Sequence, residues 1–270
     1  MKLRYLIIFL QLLLVSACWA EEERGQSKLV VASANFEPYF VYNQSTTKGL
    51  FNDLLLAALS NLGYQNVIIK PFNNDGIKRT LLLGKADIAI NWGGPVPEGF
   101  YTANYRLKFV NRVIVNKTVQ SASIKQLGDL KNLRIVSFIN ASKVFGPQFE
   151  EQMTRDNSYI EYAEQAVTNR LFVAGKFDVK VGDWLMFLWS QRLSAHDLQQ
   201  VDFYPLDILT YSGSKIVCAT QEICQLLDRE FDKMMLNGEI VAITEHWFNK
   251  IGMPIYPHQF FVPVMMTPER

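Results

Sequence analysis

Apolar positions along the chain change period in a regular order. Leu29–Ala34 is a short apolar run of strand length, Asn35–Tyr42 is an aromatic loop around Pro38, and Gly49–Tyr64 carries apolar residues at helical spacing. Asn66–Phe72 then predicts a second strand, and Leu81–Gly94 predicts the end of a helix running into a third. Tyr105–Thr118 contains Val113 and Val115, which alternate as in a strand, and a short segment polar on one face follows at Ser123–Asn132. A second series of the same kind begins at Leu133: a strand over Leu133–Ile139, a helix from about Ser142 to Arg155, a strand over Tyr159–Ala163, a helix through Glu164–Lys176 and a strand over Phe177–Asp183. Ser212–Thr220 predicts a further strand. An amphipathic helix with Ile223, Leu227, Phe231, Met234 and Met235 on one face follows and stops at Gly238. Another helix is predicted over Glu239–Phe248, and the Pro- and aromatic-rich tail from Pro254 predicts an extended strap.

Two segments repeat one device. In LLLGKADIAI and LFVAGKFDVKV a helix ends at Gly84 or Gly175, a lysine follows, and a strand opens around Asp87 or Asp178. Glycine supplies the left-handed turn that closes a helix. Two such units a lobe apart predict two similarly built α/β halves instead of one long sheet. Parallel strands joined by helices place their loops at one sheet edge, where small ligands usually bind.

The start of the chain adds a compartment. Lys2 and Arg4 precede an apolar stretch from Tyr5 to Val15 that ends in small residues, the layout of a secretory leader with a core too short to span a membrane. Cleavage after Ala20 gives a signal peptide of residues 1–20. The alternative is that Val15-Ser16-Ala17-Cys18 acts as a lipobox, anchoring the protein through Cys18. Trp19 is an unusual neighbour for that cysteine, and soluble export to the periplasm is the favoured reading. Without the leader's two basic residues, 27 basic against 26 acidic becomes 25 against 26. That balance offers no electrostatic argument for nucleic acid or an anionic membrane. Cys218 and Cys224, with five residues between them, would meet an oxidising compartment, so a disulfide is expected. Two free buried thiols are the alternative.

The order and spacing of several motifs resemble the bacterial extracellular solute-binding proteins of family 3, the amino-acid-type periplasmic substrate-binding proteins of ABC transporters. The motifs are Phe36-Glu37-Pro38-Tyr39-Phe40, Gly49-Leu50-Phe51-Asn52-Asp53, Gly84-Lys85-Ala86-Asp87-Ile88-Ala89, and Gly175-Lys176-Phe177-Asp178-Val179 with Gly182-Asp183. Leu236-Asn237-Gly238-Glu239-Ile240 with Trp247 completes them. The resemblance covers about Leu29 to Phe248. It implies the type II periplasmic binding fold: two α/β lobes, each a mostly parallel sheet flanked by helices, joined by two hinge strands around a ligand cleft. The crossings are expected near Asn111–Val115 and Leu209–Ser214. Lobe 1 is then discontinuous (21–112 and 213–270), and lobe 2 spans 113–212.

The same resemblance assigns Asp183 the ligand's amino group, a charge-assisted contact, with helix capping as its other possible role. Phe36, Tyr39, Phe40 and Trp92 are candidates for an aromatic wall, with Gly93 beside them, although each ring could equally be core. Amino-acid binders of the family hold the ligand carboxylate with a Thr-x-x-Arg-like stretch, where this chain reads Pro95-Val96-Pro97-Glu98-Gly99-Phe100. A guanidinium fork has no substitute there. Arg106 and Arg170 are the nearest alternative cations by sequence. Asn140-Ala141-Ser142, opening a helix, could offer free N–H groups to an anion, or Ser142 could be a plain cap.

The expected function is capture of a small polar, amino-acid-like solute for an inner-membrane ABC permease or a sensor. No cofactor, no metal and no nucleic acid are expected, and the protein is expected to be a monomer. An enzyme of the cyclohexadienyl dehydratase kind on the same scaffold is an alternative, with Glu98, Asp183 and Lys85 as acid–base candidates. They form no recognised constellation.

Overall fold

A computed structural model describes residues 28–43, 46–119, 123–155, 158–191, 203–209, 213–251 and 260–263. The leader, both signal-cleavage alternatives and most of the Pro-rich tail lie outside the described residues. The described chain forms two sheets and a small hairpin.

The first sheet has the order β13-β6-β12-β5-β1-β4. Its strands are β1 (Lys28–Ser33), β4 (Asn66–Pro71), β5 (Ile88–Trp92), β6 (Tyr101–Leu107), β12 (Ser214–Cys218) and β13 (Phe261–Pro263). Strand β1 pairs in parallel with β4 and β5, and the remaining pairings are antiparallel. The second sheet runs β11-β7-β10-β8-β9, from β7 (Asn111–Asn116), β8 (Ile135–Phe138), β9 (Tyr159–Tyr162), β10 (Val179–Asp183) and β11 (Phe203–Leu206). Here β8 pairs in parallel with β9 and β10, while β7 runs antiparallel to β10 and β11. Strands β2 (Val41–Tyr42) and β3 (Thr47–Lys48) make the hairpin. This is a two-lobed α/β architecture.

The chain leaves the first sheet at Leu107 and enters the second at Asn111, so the turnover falls at residues 108–110 and all of β7 belongs to the second sheet. It returns between β11 and β12. The helices are α1 (Leu50–Asn61), α2 (Asn74–Leu82), α3 (Ala141–Phe145), α4 (Pro147–Thr154), α5 (Gln165–Val173), α6 (Trp184–Gln191), α7 (Gln221–Leu236) and α8 (Glu239–Ile251). The single helix expected from Ser142 to Arg155 is two. Gly146 adopts φ 88 and Pro147, which has no N–H to give, opens the next helix. The polar segment before β8 closes into a 3-10 turn at Leu127–Leu130.

The repeated device works the same way in both lobes. Gly84 (φ 65) and Gly175 (φ 71) take the left-handed conformation after α2 and α5. Asp87 Oδ2 then accepts the Val30 N–H at 2.7 Å, and Asp178 Oδ2 accepts the Arg134 N–H at 2.8 Å. Each aspartate pins the start of its strand to the neighbouring one. Gly49 is required for a different reason: a Cβ there would lie 2.4 Å from the Tyr39 carbonyl oxygen. That close approach lets Leu50 and Phe51 donate to the carbonyls of Pro38 and Tyr39.

Helix α7 packs Leu227, Phe231 and Met234 into the first core, and Cys218 is disulfide-bonded to Cys224 across its first turn. The second lobe has an apolar layer on each sheet face, one around Val113, Val179 and Val181 and one around Ile114, Val136 and Phe187. Helix α6 bridges the lobes: Leu185 and Met186 belong to the first core, while Trp184, Phe187 and Leu188 belong to the second.

Candidate functional site between the lobes

The loop after β1 and the end of β10 face each other. Tyr39, fully buried, donates its hydroxyl to Asp183 Oδ2 at 2.9 Å. The same oxygen accepts the Val110 N–H at 2.6 Å, on the turnover between sheets, and Oδ1 accepts the Met186 N–H at 2.8 Å. Asp183 therefore caps α6 and ties together the first lobe, the turnover and the second lobe. Burial raises its pKa above the usual carboxylate range, and the Met186, Tyr39 and Val110 donors together with the Lys180 charge oppose the rise. Three of its roughly four acceptor positions are already used.

Aromatic rings surround this bond. Tyr39 stacks on Phe51 at 4.9 Å and meets Phe109 edge-on at 4.9 Å. Phe36 lies 5.7 Å from Phe109 and 5.1 Å from Phe40. Phe109 thus anchors the turnover in the first lobe. On α6, Trp189 donates its ring N–H to Glu37 and packs 5.9 Å from Trp247.

Of the expected positions, the structure brings Phe36, Tyr39 and Asp183 together. Trp92 is buried in the first core, its N–H held by the Pro95 carbonyl at 3.0 Å, and the neighbouring Gly93 is exposed. Arg106 donates to the carbonyls of Ala103 and Tyr105 in its own strand. Arg170 is exposed on α5. Neither arginine is drawn to Asp183. The Asn140 and Ser142 N–H groups are not free for an anion: Glu161 accepts both, at 2.6 and 2.8 Å, and also takes the Tyr159 hydroxyl at 2.7 Å. Burial pushes Glu161 up, but these donors win and hold it below the ordinary carboxylate range. The sequence offers N–H donors, and β9 itself supplies the carboxylate that fills them. Lys85 precedes β5 and Glu98 follows it, so these two acid–base candidates sit beyond opposite ends of one strand.

Sequence reasoning missed Lys180. It occupies the middle of β10, opposite Ile114 and Val136, and is fully buried. Its Nζ has no hydrogen-bond partner among the described residues and rests over Gly182, where a Cβ would lie 2.9 Å away. Burial lowers its pKa to about 8, against the opposing pull of Asp183. The signal was available: a lone lysine in Val-Lys-Val-Gly, in a strand whose two faces are both covered, departs from the apolar run such strands require.

Among the described residues no helix is long and apolar enough to cross a membrane, and no cluster of His, Cys, Asp or Glu is placed to hold a metal ion.

With this geometry in view, the fold matches known structures. No protein-family model matches the chain, and no curated protein matches it. An ancestral arginine-binding protein bound to arginine is similar at TM-score 0.63 and 21% identity, covering 83% of this chain and 99% of that one. The arginine-, lysine-, histidine-binding protein ArtJ from Geobacillus stearothermophilus gives TM-score 0.63 and 16% identity, over 83% and 96%. A substrate-binding protein of an ABC uptake transporter from Streptococcus pneumoniae, with bound histidine, gives 0.64 and 13%, over 88% and 98%. The chain therefore has the two-lobed fold of the amino-acid solute-binding proteins.

Proposed function

We propose that this is an exported solute-binding protein that takes a small polar, amino-acid-like solute between its lobes and presents it to an ABC-type permease. The observation that carries the reading is the polar junction where the two sheets' C-terminal edges meet: Tyr39, Asp183 and the Val110 N–H in a ring of aromatic side chains. Buried hydrogen-bonding groups at such an edge are the usual makings of a specific small-molecule site. The relatives in fold, named for arginine, lysine and histidine, support the solute class.

The leader supports export, with Cys18 anchoring as the variant form, and the carrier is read as a monomer. The lobe limits proposed are the expected 21–112 with 213–270 and 113–212, with the first boundary moved to the turnover at 108–110 so that β7 lies wholly in lobe 2. The amine of the solute would use the remaining acceptor position of Asp183 or displace the Tyr39 hydroxyl, with Phe36 and Tyr39 lining the approach. Calorimetric titration of the purified mature protein with the twenty L-amino acids and short carboxylates tests this. Saturable heat with at least one solute is expected, and the absence of binding across the set overturns it.

A further inference from the structure

A solute of this class brings an acid group as well as an amine, and the expected arginine is missing. The helix start at Asn140–Ser142 is already filled by Glu161. Lys180, on the same strand as Asp183, is a buried ammonium with no hydrogen-bond partner among the described residues. An ammonium taken from water without a compensating partner is among the costliest arrangements a core can hold, and a group of that kind calls for an explanation. Among the described residues Lys180 has no counter-ion at hydrogen-bond distance; its register partners Ile114 and Val136 are apolar, and Arg112, opposite Gly182 on β7, is paired with Asp207. Its head projects along β10 to the C-terminal edge, over Gly182 and beside Phe138, where the glycine leaves room for it. That edge is the one Asp183 and Tyr39 occupy.

Resting on the solute-binding reading, we infer that Lys180 Nζ receives the ligand's carboxylate, so that β10 supplies both poles of recognition, Lys180 for the acid and Asp183 for the amine. A single ammonium next to a carboxylate suits a monoanionic acid group better than a dianionic phosphate, because Asp183 repels the second charge. Lysine gives a point charge with three donors instead of a planar fork, so the geometry demanded of the ligand is looser than at an arginine site. Access to the ammonium follows from hinge opening about the two sheet crossings, the motion this fold provides.

The test uses the full mature protein with 15N-labelled lysine and the Lys180→Met variant. Probes are the twenty L-amino acids, acetate, succinate and inorganic phosphate, each organic acid paired with its amide. The Lys180 resonance, assigned by its absence from the variant, is expected to shift with the acid that stabilises the protein and not with its amide. Lys180→Met is expected to melt higher than the parent without any probe, yet to bind that acid at least tenfold more weakly. If an acid and its amide bind equally well, or the resonance stays still while a solute binds, Lys180 is not the acid's receptor and the solute-binding reading stands. A response to phosphate alone overturns the carboxylate assignment. If nothing in the set binds the parent protein, both readings fall.

Discussion

The two lobes begin their central strands alike and end them differently. Asp87 and Asp178 follow the same Gly-Lys-x-Asp pattern and pin neighbouring strands at nearly equal distances. At the far ends the resemblance stops. Strand β5 finishes in Trp92, buried and bonded to the nearby Pro95 carbonyl. Strand β10 finishes in Gly182 and Asp183, with Lys180 buried behind them. The beginnings of the strands therefore build the fold, while the ends differ in kind. Strand β5 ends beside partly exposed cations, Lys78 over the Trp92 ring and Lys215 on the Gly94 carbonyl, and β10 ends in a buried carboxylate with a buried ammonium behind it. In a duplicated architecture the shared residues report on folding, and the departures point to function.

The largest effect should come from the end that differs. Asp183→Ala strands the Val110 and Met186 N–H groups and the Tyr39 hydroxyl together, and each unsatisfied buried donor costs about 1–3 kcal/mol. A loss of roughly 4 kcal/mol in urea unfolding is expected. A loss under about 1 kcal/mol would show that Asp183 does not hold the lobes.

Next comes a change of opposite sign. The folded pKa of Lys180 lies near 8, below its unfolded value, because burial disfavours the cation. Below pH 8 the group is charged in both states, so the burial cost is fully present. Between pH 8 and about 10.5 the folded form releases its proton first, and stability rises with pH. Asp183 is the carboxylate that acts on the ammonium, the register partners Ile114 and Val136 are apolar, and the cation across from Gly182 on β7, Arg112, is paired with Asp207. Lys180→Met should therefore gain about 3 kcal/mol at pH 7 by the linkage relation, somewhat less once Asp183 loses its cation. The advantage should disappear as pH climbs towards 10.5. Equal stability of the two proteins at pH 7 would contradict a dry, unpartnered ammonium.

The smallest effect tests the likeness of the lobes. Asp87→Ala and Asp178→Ala each remove a backbone cap, and each should cost about 1–2 kcal/mol. Asp178 also pairs with the half-exposed Arg134 guanidinium, which adds little in water. Denaturation midpoints that differ widely between the two variants would show that the repeated motif does unequal work.

Much of this was legible in the residue pattern. The βα periods, the glycine-terminated helices and the repeated Gly-Lys-x-Asp give two α/β lobes. Asp183 as a cap and Tyr39 as a ring near it follow from strand-end logic. The pairing of Asp183 with Tyr39 was not legible, because it joins residues 144 positions apart through a long-range fold. Glu161 escaped notice for a related reason: its strand is identifiable, but that its carboxylate reaches the next helix depends on sheet order. Proximity in sequence singles out Arg106 and Arg170, whereas a cation's role is set by the face it occupies. Lys180 was visible as a lone charge in an apolar strand, an anomaly that local propensity does not register.

The most direct measurement of the central claim is a crystal structure of the protein bound to the amino acid or carboxylate that most raises its melting temperature. The solute is expected between the lobes, its acid group at hydrogen-bond distance from Lys180 Nζ and its amine at Asp183. A solute held away from β10, or with its acid group on another residue while Lys180 stays unpartnered, would contradict the account.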